Sequence, residues 1–136
     1  MYKNLARALL CAIAAAFIVP HAGAGVGLPL KVAFVYVSPI GDAGWTYQHD
    51  SGRRAMEQAL GDKVRTTVVE SVAEGPDAER VMRDLARQGN KLIFATSFGY
   101  LEPALRVVAD FPDVRFEQAG GYKTAANLNT YNARYY

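Results

Sequence analysis

Asp42, Trp45, Thr46, His49 and Asp50 fall within one short stretch, Ser38–Gly52 (SPIGDAGWTYQHDSG). Two carboxylates and an imidazole this close could perform general acid–base work or hold a metal, and an indole offers a flat face to a planar ligand. The first two chemistries need partners. On a helix His49 and Asp50 point about 100° apart, and the one other histidine, His21, lies in the amino-terminal apolar segment. Ser38, Ser51, Ser71 and Ser97 offer hydroxyls, but none sits in G-x-S-x-G. The single cysteine, Cys11, is also in the amino-terminal segment. Neither G-x-x-x-x-G-K-[ST] nor G-x-G-x-x-G occurs, so no phosphate cradle is expected. The residues point to a binder, with no catalytic residue, metal or cofactor expected. Asp42 is a candidate acceptor for a ligand or for the amides of its own turn. Trp45 is a ligand platform or a packing residue of its own helix, and His49 a half-exposed rim residue.

A second group, Ser97-Phe98-Gly99-Tyr100, supplies a hydroxyl, two aromatic rings and a permissive glycine. Aromatic walls with a few polar groups suit a planar heterocycle. The alternative is that Phe98 or Tyr100 packs under the helix that follows. Arg53-Arg54 and the row Arg80, Arg83, Arg87 read as solvated helix faces, the row interleaved with Glu79 and Asp84.

The elements that must position these groups follow from periodicity. Lys31–Val37 (KVAFVYV) is nearly all apolar, as expected of a strand covered on both faces. Gly44–Leu60 reads as a helix with Ala55, Met56, Ala59 and Leu60 as its buried stripe, ended by Gly61-Asp62. Lys63–Glu70 is a β-branched second strand. A second helix starts at Pro76 or with Asp77 as its cap, and carries Ala78, Val81, Met82, Leu85 and Ala86 at helical spacing up to Gly89-Asn90. Lys91–Thr96 is a third strand, a helix with Pro103 near its start runs to about Asp110, and Val114–Gln118 is a fourth strand.

Short connections with helices between strands mean parallel pairing and right-handed crossovers. The fold class is therefore α/β, a doubly wound parallel sheet in the order 2-1-3-4. The chain reverses direction between strands 1 and 3, so Ser38–Trp45 and Ser97–Tyr100 are expected to flank the binding crevice, with Trp45 opposite the second group. After Ala119 the periodicity ends: Asn127–Tyr136 is polar and aromatic, like a segment meant to pack on something. This favours the front piece of a longer protein.

At the amino terminus, Lys3 and Arg7 precede the apolar run Ala8–Val19, then Pro20 and Ala22-Gly23-Ala24. The pattern is that of a cleaved secretory signal over residues 1–24, and the run is shorter than the roughly 20 apolar residues of a membrane span. The chain holds 15 basic and 13 acidic residues; without Lys3 and Arg7 the formal charge falls from +2 to zero. Such balance argues against a nucleic-acid partner, which calls for a basic stripe.

KVAFVYVSPIGDAGWTYQHDSGRRA, VVESVAEGPDAERVMRDLARQGNKLIFATSFGY and FPDVRFEQAGGYKTAANLNTY together resemble the BMP (basic membrane protein) family, extracytoplasmic substrate-binding proteins of ABC transporters. The resemblance covers residues 31–136. It implies a type I periplasmic-binding-protein fold, of which only the first lobe is present: residues 25–126, with 127–136 starting the segment that leads to a missing second lobe. It also implies a purine nucleoside or base as ligand, an ABC permease as partner, a periplasmic location and a monomer at full length. The family's stacking aromatic falls on Trp45 and the neighbouring polar contact on Thr46. The loop after strand 3 corresponds to Phe98-Gly99-Tyr100, and Asp42 is a further carry-over in a loop of different spacing. A ligand-sensing domain coupled to a signalling partner is the alternative, and a hydrolase using Asp42 and His49 a more distant one.

Overall fold

The computed structural model describes residues 27–132. The expected signal at residues 1–24 and the last four residues lie outside them. β1 (Leu30–Val35) forms where the apolar run predicts it. Ala33 and Val35 face one side of the sheet; Val32, Phe34 and the adjoining Tyr36 face the other, all buried. β1 lies between β2 (Val64–Val69) and β3 (Leu92–Ala95), parallel to both, with Val32 opposite Thr66 and Leu92. β4 (Arg115–Ala119) extends the sheet beyond β3 and a fifth strand, β5 (Leu128–Tyr131), extends it beyond β4. The order β2-β1-β3-β4-β5 contains the expected 2-1-3-4.

One face is covered by α2 (Pro76–Arg87) and α3 (Leu101–Val108). Ala78, Met82, Leu85 and Ala86 of the first, with Leu101, Ala104 and Val107 of the second, join Ala33, Val35, Ile93 and Phe116 in the main core. Gly75, at φ 87°, caps α2 and Pro76 takes its first position, where a missing N–H costs nothing. The other face carries α1 (Trp45–Leu60).

The buried side of α1 differs from expectation. Ala55, Ala59 and Leu60 are exposed and only Met56 of the expected stripe packs against the sheet; the fully buried positions are Thr46 and Asp50. The Asp50 carboxylate accepts from Arg53 Nε at 2.7 Å and Arg54 Nε at 2.6 Å, and the Tyr36 hydroxyl reaches it at 3.4 Å. Arg53 also donates to Thr66 of β2 and pairs with Glu57. Arg53 is therefore part of the helix–sheet contact rather than a solvated face. Arg54 stays exposed but shares the same carboxylate. Burial alone would raise the Asp50 carboxyl, but the hydrogen bonds and charges of Arg53 and Arg54 outweigh it and hold it below the usual carboxylate range. Between α1 and β3, Phe34, His49, Met56, Phe94 and Tyr131 line a groove of about 340 Å³.

β5 was not expected from its sequence. Parallel neighbours are normally joined through a helix, yet only residues 120–127 connect β4 to β5. Leu128 lies level with Phe116, so the segment steps back only three residues along the sheet, and it turns at Ala125–Leu128, which exchange backbone hydrogen bonds at 3.0 and 3.2 Å. Asn127 fixes its far end: its buried side-chain amide donates to the carbonyls of Val108, Phe111 and Val114 at 3.1, 3.0 and 2.9 Å. Those groups lie at and beyond the end of α3, where helix carbonyls lose their intrahelical partners.

Candidate functional site

All five strands run the same way, so their carboxyl ends share one edge of the sheet. Winding reverses there between β1 and β3, and the loops leaving these strands diverge to α1 on one face and α3 on the other. This is where an open α/β sheet forms a crevice.

The first loop is held in place by side chains. Ser38 Oγ and Thr46 Oγ1 lie 2.7 Å apart across it, and Ile40 N–H donates to the Glu70 carboxylate at 2.8 Å from the end of β2. Gly44, at φ 90°, makes the turn into α1. Trp45 opens that helix half-buried, and its indole N–H donates to the Thr96 carbonyl at the end of β3. Thr96 is itself anchored, its hydroxyl donating to the Val35 carbonyl at 2.7 Å. The indole thus bridges the two sides of the switch point. Its donor is engaged within the protein, so that recognition by this residue is a matter of its ring and not of its N–H. His49 packs against it, ring centroids 4.6 Å apart, with Nδ1 2.9 Å from the Trp45 carbonyl oxygen.

The second loop is a single turn of 3-10 helix over Phe98–Tyr100 that runs straight into α3. Phe98 is 62% exposed and its ring is tilted 34° against that of Tyr122, ring centroids 6.2 Å apart. Ser97 is buried; its hydroxyl donates to the Glu74 carboxylate at 2.5 Å, and its carbonyl accepts from the fully buried Gln118 amide at 2.6 Å. Tyr100 is not on the crevice. It is 0% exposed in the main core, and its hydroxyl donates to the Val72 carbonyl at 2.6 Å. Burial first, and the nearby Glu74 charge second, push this phenol up, so it stays a protonated donor.

The structure thus places the predicted residues in three groups. Trp45, Phe98 and the exposed Asp42 lie on the loops that leave β1 and β3. Thr46, Ser97 and Gly99 build the loop walls. Tyr100 belongs to the core, the packing alternative open to it in the sequence. Glu70, Glu74 and Gln118 were missed although all three brace the loops. The available signal was their position: each carboxylate or amide stands at, or just past, the carboxyl end of a strand.

Comparison with known proteins fits this geometry. Residues 30–136 match the Bmp family, described as ABC transporter substrate-binding protein PnrA-like. A purine-binding protein of Brucella abortus is 62% identical over 79% of the chain, and the chain spans 31% of that protein. A Haloferax volcanii protein provisionally named an ABC transporter glucose-binding protein is 40% identical over 84% of the chain, which spans 29% of it. The chain therefore spans about a third of the length of these curated relatives. Among solved structures, a solute-binding protein of an ABC transporter system from Conexibacter woesei superimposes with a TM-score of 0.66 at 25% identity, over 76% of this chain and 35% of that one. The similarity thus reaches only part of these proteins, as a single lobe would. A family match that begins at Leu30, the first residue of β1, and runs to residue 136 makes the chain a member of the Bmp family of PnrA-like ABC transporter substrate-binding proteins.

Proposed function

We propose that this chain is the first lobe of an extracytoplasmic solute-binding protein that delivers a purine base or nucleoside to an ABC permease and does no chemistry on it. The observation that carries the reading is the half-buried Trp45 indole, held by its N–H to Thr96 at the switch point, an aromatic platform of the kind a planar ligand stacks on. Phe98 offers a second, exposed aromatic surface on the facing loop. Asp42 supplies acceptors beside them, and Thr46, Ser97 and Gly99 shape the walls. The name of the Brucella relative supports a purine over other planar solutes. Residues 1–24 act as the export signal, the residues from 25 through β5 form the lobe, and the chain beyond β5 leads toward a second lobe that completes the site.

The experiment is a fluorescence titration of the full-length gene product with adenine, adenosine and glucose. Stacking on Trp45 should quench its emission with the purines, leave it unchanged with glucose, and raise the melting temperature in step. Trp45→Ala should weaken purine binding about tenfold to a hundredfold, in line with the roughly 1–3 kcal/mol of a lost base–aromatic stack. A response to glucose alone, or none to the purines, overturns the ligand assignment.

A further inference from the structure

Glu74 stands just ahead of α2, on the opposite side of the sheet from Trp45, and its carboxylate reaches the back wall of the crevice. One oxygen accepts the Ser97 hydroxyl at 2.5 Å. A Cβ placed on Gly99 would lie 2.1 Å from the Glu74 carboxyl carbon and 2.3 and 2.4 Å from its two oxygens. The carboxylate therefore packs directly against the Gly99 backbone, and a side chain at position 99 would push it away. Asp50, Glu57 and Glu79 all have arginine partners, whereas no Lys or Arg among the described residues pairs with Glu74. It is an uncompensated negative charge.

Its location gives that charge a consequence. Residues 98–100 lead directly into α3, and the amino end of a helix at a switch point is where open α/β sheets accept phosphates and carboxylates. Here the position next to the chain's own Gly99 is filled from within by a carboxylate. An anionic ligand group arriving at this wall meets the like charge of the exposed Glu74 carboxylate.

We infer that Glu74 sets the charge class of the ligand, admitting uncharged solutes and rejecting anionic ones such as nucleotides. The inference rests on the purine reading above and adds a selectivity residue to it. Its role is distinct from that of holding the Ser97 loop, because glutamine keeps an acceptor for the Ser97 hydroxyl and removes only the charge.

The test compares adenosine with adenosine monophosphate on the full-length gene product and on its Glu74→Gln and Glu74→Asp variants, by isothermal titration calorimetry at low salt. Glu74→Gln should raise the affinity for the monophosphate about tenfold or more relative to that for adenosine, as expected for removing one charge a few ångströms from a phosphate. The gain should shrink as salt is raised. Glu74→Asp should keep the rejection. If adenosine binds and the ratio of the two affinities is unchanged in Glu74→Gln, the inference fails while the purine reading stands. Parallel weakening of both ligands makes Glu74 a loop brace only and likewise overturns it. If the wild-type protein binds neither compound, the purine reading fails and takes this inference with it.

Discussion

Trp45 gives its one hydrogen-bond donor to a carbonyl 51 residues away, and that partnership decides how the residue can be used. Its type and its place at a strand–loop–helix junction were legible in the sequence. The fate of its N–H was not, because nothing local marks Thr96 as the acceptor. Asp50 shows the same limit more sharply. In sequence it is one of three titratable groups in a polar stretch; in the structure it is 1% exposed and clasped by Arg53 and Arg54 over the Tyr36 hydroxyl. Removing one partner of a buried pair leaves the other uncompensated. Asp50→Asn should therefore lower the unfolding free energy by about 2–4 kcal/mol, measured by urea denaturation. A loss no larger than that of a surface substitution would mean that the pair contributes nothing net.

The strand order and the three helices were readable because a parallel sheet covered on both faces writes itself as apolar runs alternating with helical stripes. Two elements escaped that code. α1 buries Thr46 and Asp50, with the arginines that satisfy Asp50, and leaves Ala55, Ala59 and Leu60 exposed, so a search for an apolar stripe selected the wrong side. β5 escaped because its signal lies outside the strand, in the tight turn at Ala125–Leu128 and in the three carbonyls collected by Asn127. Asn127→Ala removes the side-chain donor from all three carbonyls and leaves that of Val114 without it, while Val108 and Phe111 keep backbone N–H partners; the loss costs about 1–3 kcal/mol. Hydrogen exchange should show the loss concentrated in β5 and the end of α3, with β1 protected as before. A uniform loss across the sheet would contradict Asn127 as a local anchor.

For the whole molecule, the acid limb of stability follows from the same carboxylate. Asp50 is held below its unfolded value of about 3.9. Its stabilisation is thus present above about pH 4 and is lost as pH falls through the depressed folded value. Denaturation midpoints should be nearly flat from pH 7 to 5 and drop below about pH 4, and Asp50→Asn should flatten part of that drop. An unchanged acid limb in the variant would assign it to other carboxylates, Glu79 foremost, which Arg106 and Arg83 also hold down. The position of β1 has a further consequence, one of time. As the central early strand it must wait for partners: Val32 meets Thr66 34 residues later and Leu92 60 residues later. Such pairing must overcome loop-closure entropy before any contact rewards it, and sheets of this kind close in roughly milliseconds to seconds. For a protein exported as proposed, that delay is useful: a secretion channel can still thread the chain before its first strand has found the third.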